Sequence, residues 1–193
     1  MARPAEPGRT ALLQAGEHVL ADDGLPALSV NNVVARAGMA KGSFYQHWPA
    51  RADFLRDLHT RFHDGLAEQV TRVGAEHPPG AERLRAMLAA FLDGCLRQRA
   101  SKALLVEART EAGLHDLVQA RNAAFAELID DDLRALAWPA PRAVAILLIA
   151  AAAEVALHEL HAGCPLPELR AATLALATRD ASVPSAEVTE SRC

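Results

Sequence analysis

Apolar residues recur at intervals of three and four along nearly the whole chain, and glycine or proline interrupts them at short intervals. The clearest run lies between residues 50 and 73, with apolar positions at Phe54, Leu55, Leu58, Phe62, Leu66 and Val70. Such spacing is typical of an amphipathic α-helix, which has about 3.6 residues per turn. Aromatic residues make up only 4% of the chain, whereas the helix-favouring alanine and leucine are abundant. The sequence therefore predicts an all-α fold.

Capping residues, glycines and prolines divide this pattern into individual helices. Thr10 can cap the first helix and Gly24 can end it, because glycine readily adopts the left-handed conformation of a helix end. Ser29 can cap a short second helix that ends at Gly38, and a third is expected to end near Trp48. The helices expected after these cover about residues 50–73, 81–99, 101–113, 115–137, 141–163 and 165–179.

Two short helices joined by a tight turn between residues 29 and 48 form a helix-turn-helix pattern. In this arrangement the second helix lies in the major groove of DNA. Phe44 and Trp48 are four residues apart and are expected to face the core. The predicted DNA-contacting residues are polar or small, namely Ser29, Asn31, Lys41, Gly42, Ser43, Tyr45, Gln46 and His47.

The charge distribution favours the first third of the chain for any DNA contact. The formal net charge is −4, which excludes a uniformly basic nucleic-acid coat. Residues 1–63 carry seven basic and six acidic side chains, and the remainder carries 13 basic and 18 acidic ones. Phosphate contacts are therefore expected near the N-terminus.

Several short motifs between residues 10 and 60 combine into one specific pattern. They are Leu12-Leu13-Gln14-Ala15-Gly16, Gly24, Ser29-Val30, Val34-Ala35, Ala37-Gly38, Lys41-Gly42-Ser43-Phe44-Tyr45 and Phe54-Leu55. Together they resemble the tetracycline-repressor (TetR) family of bacterial transcription regulators. The resemblance implies a homodimeric, all-helical repressor in which Lys41 and Tyr45 hold phosphates while Ser43, Gln46 and His47 lie along the groove. Ala40 departs from the family pattern, because a capping serine or threonine worth about 1 kcal/mol is frequent there.

This resemblance and the Pro-containing break at residues 77–80 suggest a domain organisation. We expect a three-helix DNA-binding domain over residues 9–50, a connecting helix over 51–78, a helical ligand-binding and dimerisation domain over 79–179, and a disordered tail over 180–193. The predicted partners are a double-stranded DNA operator, a second copy of the chain and an unknown small-molecule effector. No cofactor is predicted.

The helix expected at 141–163 has two apolar stripes, which indicates two different partners. One stripe and the last helix favour a four-helix interface between two copies. The predicted interface residues are Ile146, Ile149, Ala150, Ala153, Leu157, Leu160 and Leu169.

The other stripe ends in Glu154 and His158, one turn apart. Because buried ionisable groups are costly unless they are paired, two interpretations are open. The pair anchors a ligand, or its members hydrogen-bond each other or a neighbouring arginine. In the first case the apolar pocket walls are Phe91, Cys95, Leu104, Phe125, Leu128 and Leu147.

Other functional classes are represented by weaker signals. His59 and His63, with His115 as a candidate third ligand, suggest a metal-responsive regulator, whereas the plainer interpretation places both histidines on the surface or at an interface. Ala40 and the acidic net charge favour a helical small-molecule carrier without DNA binding. A helical bundle without a DNA role leaves the polar cluster that begins at Lys41 unexplained.

Enzyme and membrane classes are disfavoured. The sequence His158-Glu159-Leu160-His161 is one residue short of the HExxH zinc motif, and glycine-rich phosphate loops and GxSxG elbows are missing. The N-terminal residues lack an apolar core, and the longest apolar run, 143–153, is shorter than the roughly 20 residues of a membrane span. The sequence therefore predicts a cytoplasmic, ligand-responsive repressor that is not an enzyme and binds a palindromic operator as a homodimer.

Overall fold

The computed structural model describes residues 6–98, 104 and 114–179. These residues form nine α-helices, a 3₁₀ turn at Leu25–Ala27 and no strand, which confirms the predicted all-α fold. The helices are α1 (Glu6–Asp23), α2 (Val30–Ala37), α3 (Lys41–Tyr45), α4 (Arg51–Gly74), α5 (Ala81–Arg97), α6 (His115–Leu128), α7 (Asp130–Ala135), α8 (Pro141–Ala162) and α9 (Pro167–Thr178). Apart from Leu104, the predicted helix at 101–113 and the predicted tail at 180–193 lie outside the described residues.

The described helices belong to two compact units. The first contains residues 6–64, 98, 104 and 114–117, and the second contains 65–97 and 118–179. The units divide within α4. The reason lies in the packing of α4: Leu58 lies against α1, whereas Leu66 lies against Gly94 of α5.

The first unit is built where α1 and α4 approach each other closely at Gly16. A Cβ atom added to Gly16 would lie 2.6 Å from Cζ of Phe54 and 3.0 Å from Cδ1 of Leu58. Its buried core draws on all four helices of the unit. The core side chains are Leu12, Leu13, Val19, Leu20, Leu28, Val33, Phe44, Trp48, Phe54, Leu55, Leu58 and Phe62.

Two predicted helix ends differ from the structure. Helix α1 begins at Glu6 instead of after Thr10, because Pro7 in its first turn has a backbone conformation that suits a helix start. Helix α3 ends at Tyr45 instead of Trp48. Pro49 follows Trp48 and disfavours a helical backbone at the residue before it.

The single helix predicted at 115–137 is two helices, α6 and α7. The helix is interrupted at Ile129, whose backbone has φ −106° and ψ 1°. Asp132 of α7 is buried and accepts a hydrogen bond from the backbone N–H of Gly80 (2.9 Å), with Arg83 3.5 Å away. Burial raises the pKa of Asp132, while the Gly80 N–H and Arg83 act in the opposite direction.

The buried face of α8 is a third stripe that the sequence analysis missed. It consists of Ala145, Leu148, Ala152, Val155, Ala156 and Glu159. Glu159 is fully buried, and Arg170 of α9 donates to both of its carboxylate oxygens (2.6 and 2.7 Å). Arg170 also donates to Asp93 of α5 (2.7 Å), so one guanidinium joins three helices. Hydrogen bonding to Glu159 is the main cause of a raised pKa of Arg170.

By length and composition, α8 is the one helix in the described part of the chain that could cross a membrane. Its mean hydropathy reaches 1.9 over 18 residues, of which 28% are buried. The buried ion pair between Glu159 and Arg170 instead makes α8 the core helix of a folded domain. Ile146 and Leu147 of the same helix are exposed.

Substituting Gly16 tests the close approach of α1 and α4. Gly16→Ala is expected to lower the free energy of unfolding by about 1–3 kcal/mol, because the rings and methyls it would meet are fully buried. Urea unfolding followed by circular dichroism measures this change. The matched control is Gly65→Ala in α4, where an added Cβ meets nothing within 4 Å. It is expected to raise stability by up to about 1 kcal/mol, and equal effects of the two substitutions would contradict the packing described.

Candidate nucleic-acid interface

Local hydrogen bonds set the start and end of α2 as the sequence predicts. The hydroxyl of Ser29 accepts from the backbone N–H of Asn32 (3.1 Å), which is an N-cap. Gly38 follows α2 with φ 65°, and its N–H donates to the carbonyl of Ala35 (3.2 Å). This left-handed residue turns the chain toward α3. Ala40 supplies no side-chain cap to α3, in agreement with the sequence analysis.

Aromatic rings anchor one side of the α3 segment, by which we mean residues 41–48, in the core. Phe44 and Trp48 are buried, which confirms their predicted orientation. The ring centroid of Phe54 in α4 lies 5.1 Å from that of Phe44 and 4.8 Å from that of Trp48. Because edge-to-face packing of this kind adds to area burial, the three rings fix α3 on the N-terminal part of α4.

The opposite side of the same segment faces outward. Lys41, Gly42 and Gln46 are exposed, Tyr45 is 50% exposed, and Ser43 and His47 are partly covered. Lys41 forms no ion pair with any described residue. A Cβ at Gly42 would meet nothing within 4 Å, so packing within the chain does not require glycine there. The surface therefore offers a cation, a phenol and amide groups around a position without a side chain.

The two predicted contact residues at α2 occupy different environments. The Ser29 hydroxyl serves as the N-cap, whereas the neighbouring Asn31 is exposed. Asn32, which the sequence analysis did not select, donates to the carbonyl of Ala27 (2.8 Å). The side chain of Ser29 thus has a structural role whether or not it also contacts DNA.

Several polar residues that support this surface were missed in the sequence analysis. Arg51 at the start of α4 donates to the carbonyls of Leu28 and Leu25, and Arg36 of α2 pairs with Asp22 (2.8 Å). The carboxylate of Asp57 accepts from the indole N–H of Trp48. The sequence signal for this last contact is the buried tryptophan itself, because its N–H needs an acceptor.

The expectation that Glu154 and His158 are buried is wrong. Their side chains are 60% and 58% exposed, and the Oε1 of Glu154 lies 3.5 Å from Nε2 of His158. Leu147, another predicted pocket residue, is 69% exposed on the same face. These three residues therefore do not wall an internal pocket. The contact between Glu154 and His158 agrees with the second interpretation, in which they bind each other.

The other predicted pocket residues divide between the two units. Leu104 is buried in the first unit, and the rest lie in the second. The rings of Phe91 and Phe125 are in edge contact (5.6 Å between centroids), and Leu128 is partly buried. Cys95 is fully buried, and burial raises the pKa of its thiol to about 12, which makes it unreactive near neutral pH.

A shallow depression in the second unit does not coincide with the predicted pocket. It contains none of the predicted pocket residues. Its lining is Ala123, Ala126, Glu127, Asp130, Arg142 and Ile146.

The predicted dimer residues separate by exposure. Ile146, Ala150 and Leu169 are exposed, whereas Ile149, Ala153, Leu157 and Leu160 are only partly so. Two leucines outside the predicted interface are the most exposed large apolar side chains among the described residues: Leu147 at 69% and Leu176 at 68%. The exposed apolar positions of α8 and α9 therefore coincide only in part with the predicted interface residues.

Two of the three histidines proposed as metal ligands lie in the interior and the third does not. His59 and His63 are buried, with ring centroids 4.3 Å apart, and His115 is exposed. Across residues 6–98, 104 and 114–179, no three side chains of His, Cys, Asp or Glu are grouped as a metal site.

Part of the sequence is similar to known bacterial regulators. Residues 12–58 match the sequence model of the bacterial regulatory proteins of the tetR family. The chain is 30% identical over 90 residues to the HTH-type transcriptional activator FasR of Mycolicibacterium smegmatis. That match covers 47% of this chain and 41% of FasR, so the chain spans about two fifths of that relative.

Solved structures share the fold across almost the whole chain. A TetR-like transcriptional regulator from Rhodococcus sp. RHA1 has a TM-score of 0.73 at 21% identity, with 92% of this chain and 97% of that chain covered. The multidrug binding protein EbrR, complexed with imidazole, has a TM-score of 0.74 at 21% identity, with 96% of each chain covered.

These regulators are not enzymes, in agreement with the sequence prediction. The family match covers α2, α3 and the core residues that hold them, and the fold agrees beyond it. The resemblance to the tetR family that the motifs between residues 10 and 60 predicted is therefore confirmed for residues 12–58, and the chain shares its fold with solved transcriptional regulators.

Proposed function

We propose that this chain is a ligand-responsive transcriptional repressor that binds a palindromic DNA operator as a homodimer in the cytoplasm. The observation that carries the proposal is the two-sided α3 segment. Phe44 and Trp48 are buried on one side, while Lys41, Tyr45 and Gln46 are exposed on the other. A short helix with this polarity is suited to the major groove, because its contacts with DNA do not disturb its anchor.

In the proposed complex, Lys41 and Tyr45 hold phosphates and Ser43, Gln46 and His47 lie along base edges. Phosphate contacts fix the register of the protein, whereas contacts with base edges specify the sequence. Gly42 lets the DNA backbone approach α3 closely, and Asn31 extends the contact at the start of α2. Ser29 contributes through the cap that orders α2.

The proposed dimer interface is the uncovered face of α8 and α9. On each helix a set of exposed or partly exposed positions alternates between spacings of three and four residues, which is the pattern of helices that pack at small crossing angles. On α8 these positions are the exposed Ala143, Leu147, Ala150, Glu154 and His161 and the partly exposed Leu157, and on α9 they are the exposed Leu169, Ala172 and Leu176. Ala150, Leu157 and Leu169 belong both to this face and to the interface first predicted from the sequence.

A second copy is the proposed occupant of this face for two reasons. An exposed apolar patch on two adjacent helices is unfavourable in water, and a copy related by a two-fold axis covers it with identical residues. A palindromic operator also requires two recognition helices related by a two-fold axis, about 34–36 Å apart per helical turn.

The proposed effector is a small molecule that binds in the second unit. The name of EbrR, a multidrug binding protein of the same fold, supports this. Phe91, Phe125 and Leu128 remain the proposed apolar contacts there. Ligand binding would favour one arrangement of the two subunits and so change the spacing of the recognition helices, which alters DNA affinity. FasR is by name an activator, whereas we propose repression for this chain. A reporter assay with and without the protein distinguishes the two.

Exposed contact residues allow DNA binding to be removed without unfolding. Lys41→Ala with Tyr45→Ala is expected to weaken binding at least about tenfold, to a duplex selected by the wild type from a random library. The slope of log K against log salt should become less steep by about 0.9 for each phosphate that the variant no longer binds. Fluorescence anisotropy over a salt series measures both.

Arg85→Ala on α5, which also removes an exposed cation, is the control and is expected to bind as the wild type does. A helical carrier without DNA recognition would show no difference between the double variant and the wild type.

A substitution at Gly42 tests DNA contact without a change in stability. Gly42→Ala adds a methyl group where the chain itself leaves open space, so it should not destabilise the fold. A proposed close approach of the DNA backbone predicts at least about a tenfold loss of affinity. Anisotropy and thermal unfolding, compared with those of Gly65→Ala, measure the two properties. Unchanged affinity in Gly42→Ala would exclude close approach at this position.

Charges placed on the uncovered face test the dimer. Leu147→Glu with Leu176→Glu is expected to convert the protein to a folded monomer, because both side chains are more than two-thirds exposed within the subunit. Sedimentation velocity measures the change, and Ala124→Glu at an exposed position of α6 is the control. A double variant that stays dimeric would place the interface elsewhere.

A further inference from the structure

One carboxylate in the first unit joins three helical segments around the recognition helix. Oδ2 of Asp57, in the second turn of α4, accepts from the indole Nε1–H of Trp48 (2.5 Å) and from Nη2 of Arg9 in α1 (2.6 Å). The guanidinium of Arg9 also lies 5.6 Å from the centroid of the Trp48 ring. Neither the resemblance to the family nor the predicted DNA contacts assigns a role to Asp57 or Arg9.

Helix α3 needs contacts with the rest of the unit to keep its orientation, and the Trp48 side chain provides one of them. Helix α3 has five residues and no side-chain N-cap, so its own stability is small. Packing by Phe44, Trp48 and Phe54 holds the segment on α4, but it leaves the buried indole N–H of Trp48 in need of an acceptor. The Trp48 indole N–H is directional, and its ring is only 3% exposed, so the acceptor it meets fixes the angle of the ring.

Asp57 is suited to this task by its charge and by its second partner. Hydrogen bonds to a charged acceptor are roughly twice as strong as those between neutral groups. The side chain of Asp57 is about one-third exposed, so Arg9 offsets part of the cost of holding a carboxylate beside aromatic rings. The arrangement ties the end of α3 simultaneously to α1 and α4.

We propose that Asp57 is a positioning residue for DNA binding. It touches no DNA itself; it holds the Trp48 indole and thereby sets the orientation of α3 and its outward residues Lys41, Tyr45 and Gln46. This inference rests on the proposed DNA-binding function and adds a residue outside the contact surface. The affinity for DNA then depends on one hydrogen bond between α4 and the end of α3.

A double-mutant cycle between Asp57 and Trp48 tests the inference. Asp57→Asn keeps the shape of the side chain but removes its charge, and Trp48→Phe keeps an aromatic ring but removes the N–H. Each is expected to lower the affinity for the duplex selected by the wild type by about tenfold. Because both act through one bond, the double variant should lose much less than the product of the two losses.

A second ion pair between α1 and α4 provides the matched control. Arg61 lies 3.0 Å from Glu17 with a similar exposure, but this pair does not contact Trp48. Glu17→Gln is therefore expected to change DNA affinity by less than about twofold. A loss as large as that of Asp57→Asn would mean that general loosening of α1 on α4 explains the effect, and would overturn the inference.

Indole N–H resonances of the folded variants test whether the Asp57 carboxylate contacts the Trp48 indole. The chain has two tryptophans, and Trp138 donates to the carbonyl of Ala177 (2.8 Å). Trp48→Phe identifies the Trp48 signal by its disappearance. Asp57→Asn is expected to shift that signal upfield and leave the Trp138 signal unchanged, and Glu17→Gln to leave both in place. An unshifted Trp48 signal in Asp57→Asn would overturn the proposed contact.

The outcomes distinguish this inference from the function on which it rests. If folded wild type selects no duplex, both fail. If Lys41→Ala with Tyr45→Ala abolishes binding while Asp57→Asn binds as the wild type does, the function stands and the inference fails. Additive losses in the double variant would also overturn it. Should Asp57→Asn not fold, Trp48→Phe alone carries the test, and wild-type affinity in that variant is the contradicting result.

Discussion

The packing of the Phe44 and Trp48 rings against Phe54 is the interaction on which the rest of the DNA-binding unit depends. A helix of five residues without a capping side chain has little intrinsic stability, so its place is determined by what its buried face contacts. That face lies on the N-terminal part of α4, and α4 in turn approaches α1 at Gly16 without any space for a side chain. Because Phe44 and Trp48 are buried, the polar residues beside them face outward.

The second constraint is the apolar surface of α8. Its buried stripe is fixed to α5 and α9 through the Glu159 and Arg170 pair. Among the described residues, Leu147 of α8 and Leu169 and Leu176 of α9 are exposed apolar side chains, and they belong to the face proposed as the dimer interface. Glu154 and His161 interrupt that face. In coiled coils, single polar residues at such positions specify register at a cost in stability, which fits an interface with one defined arrangement.

The helix-turn-helix could be predicted from the sequence, whereas the packing of the second unit could not, and the difference has a physical cause. Ser29 and Gly38 act on neighbouring backbone groups, so local rules predict their roles, and the spacing of Phe44 and Trp48 reports a helix with one buried side. Helix α8 is apolar on nearly every side, and periodicity cannot then say which side is buried. For this reason the sequence analysis missed the buried stripe that contains Ala145 and Glu159, and it predicted instead that Glu154 is buried. Asp57 was missed because its partners are 9 and 48 residues away in sequence.

The stoichiometry of the complex on DNA tests the central claim most directly. A duplex selected by the protein from a random library would be titrated with the chain and its mass in the complex measured by light scattering. The account predicts two chains on a site with two-fold symmetric half-sites about one helical turn apart, with affinity that falls steeply as salt rises. A folded protein that selects no duplex, or that binds as a single chain to an asymmetric site, would contradict it.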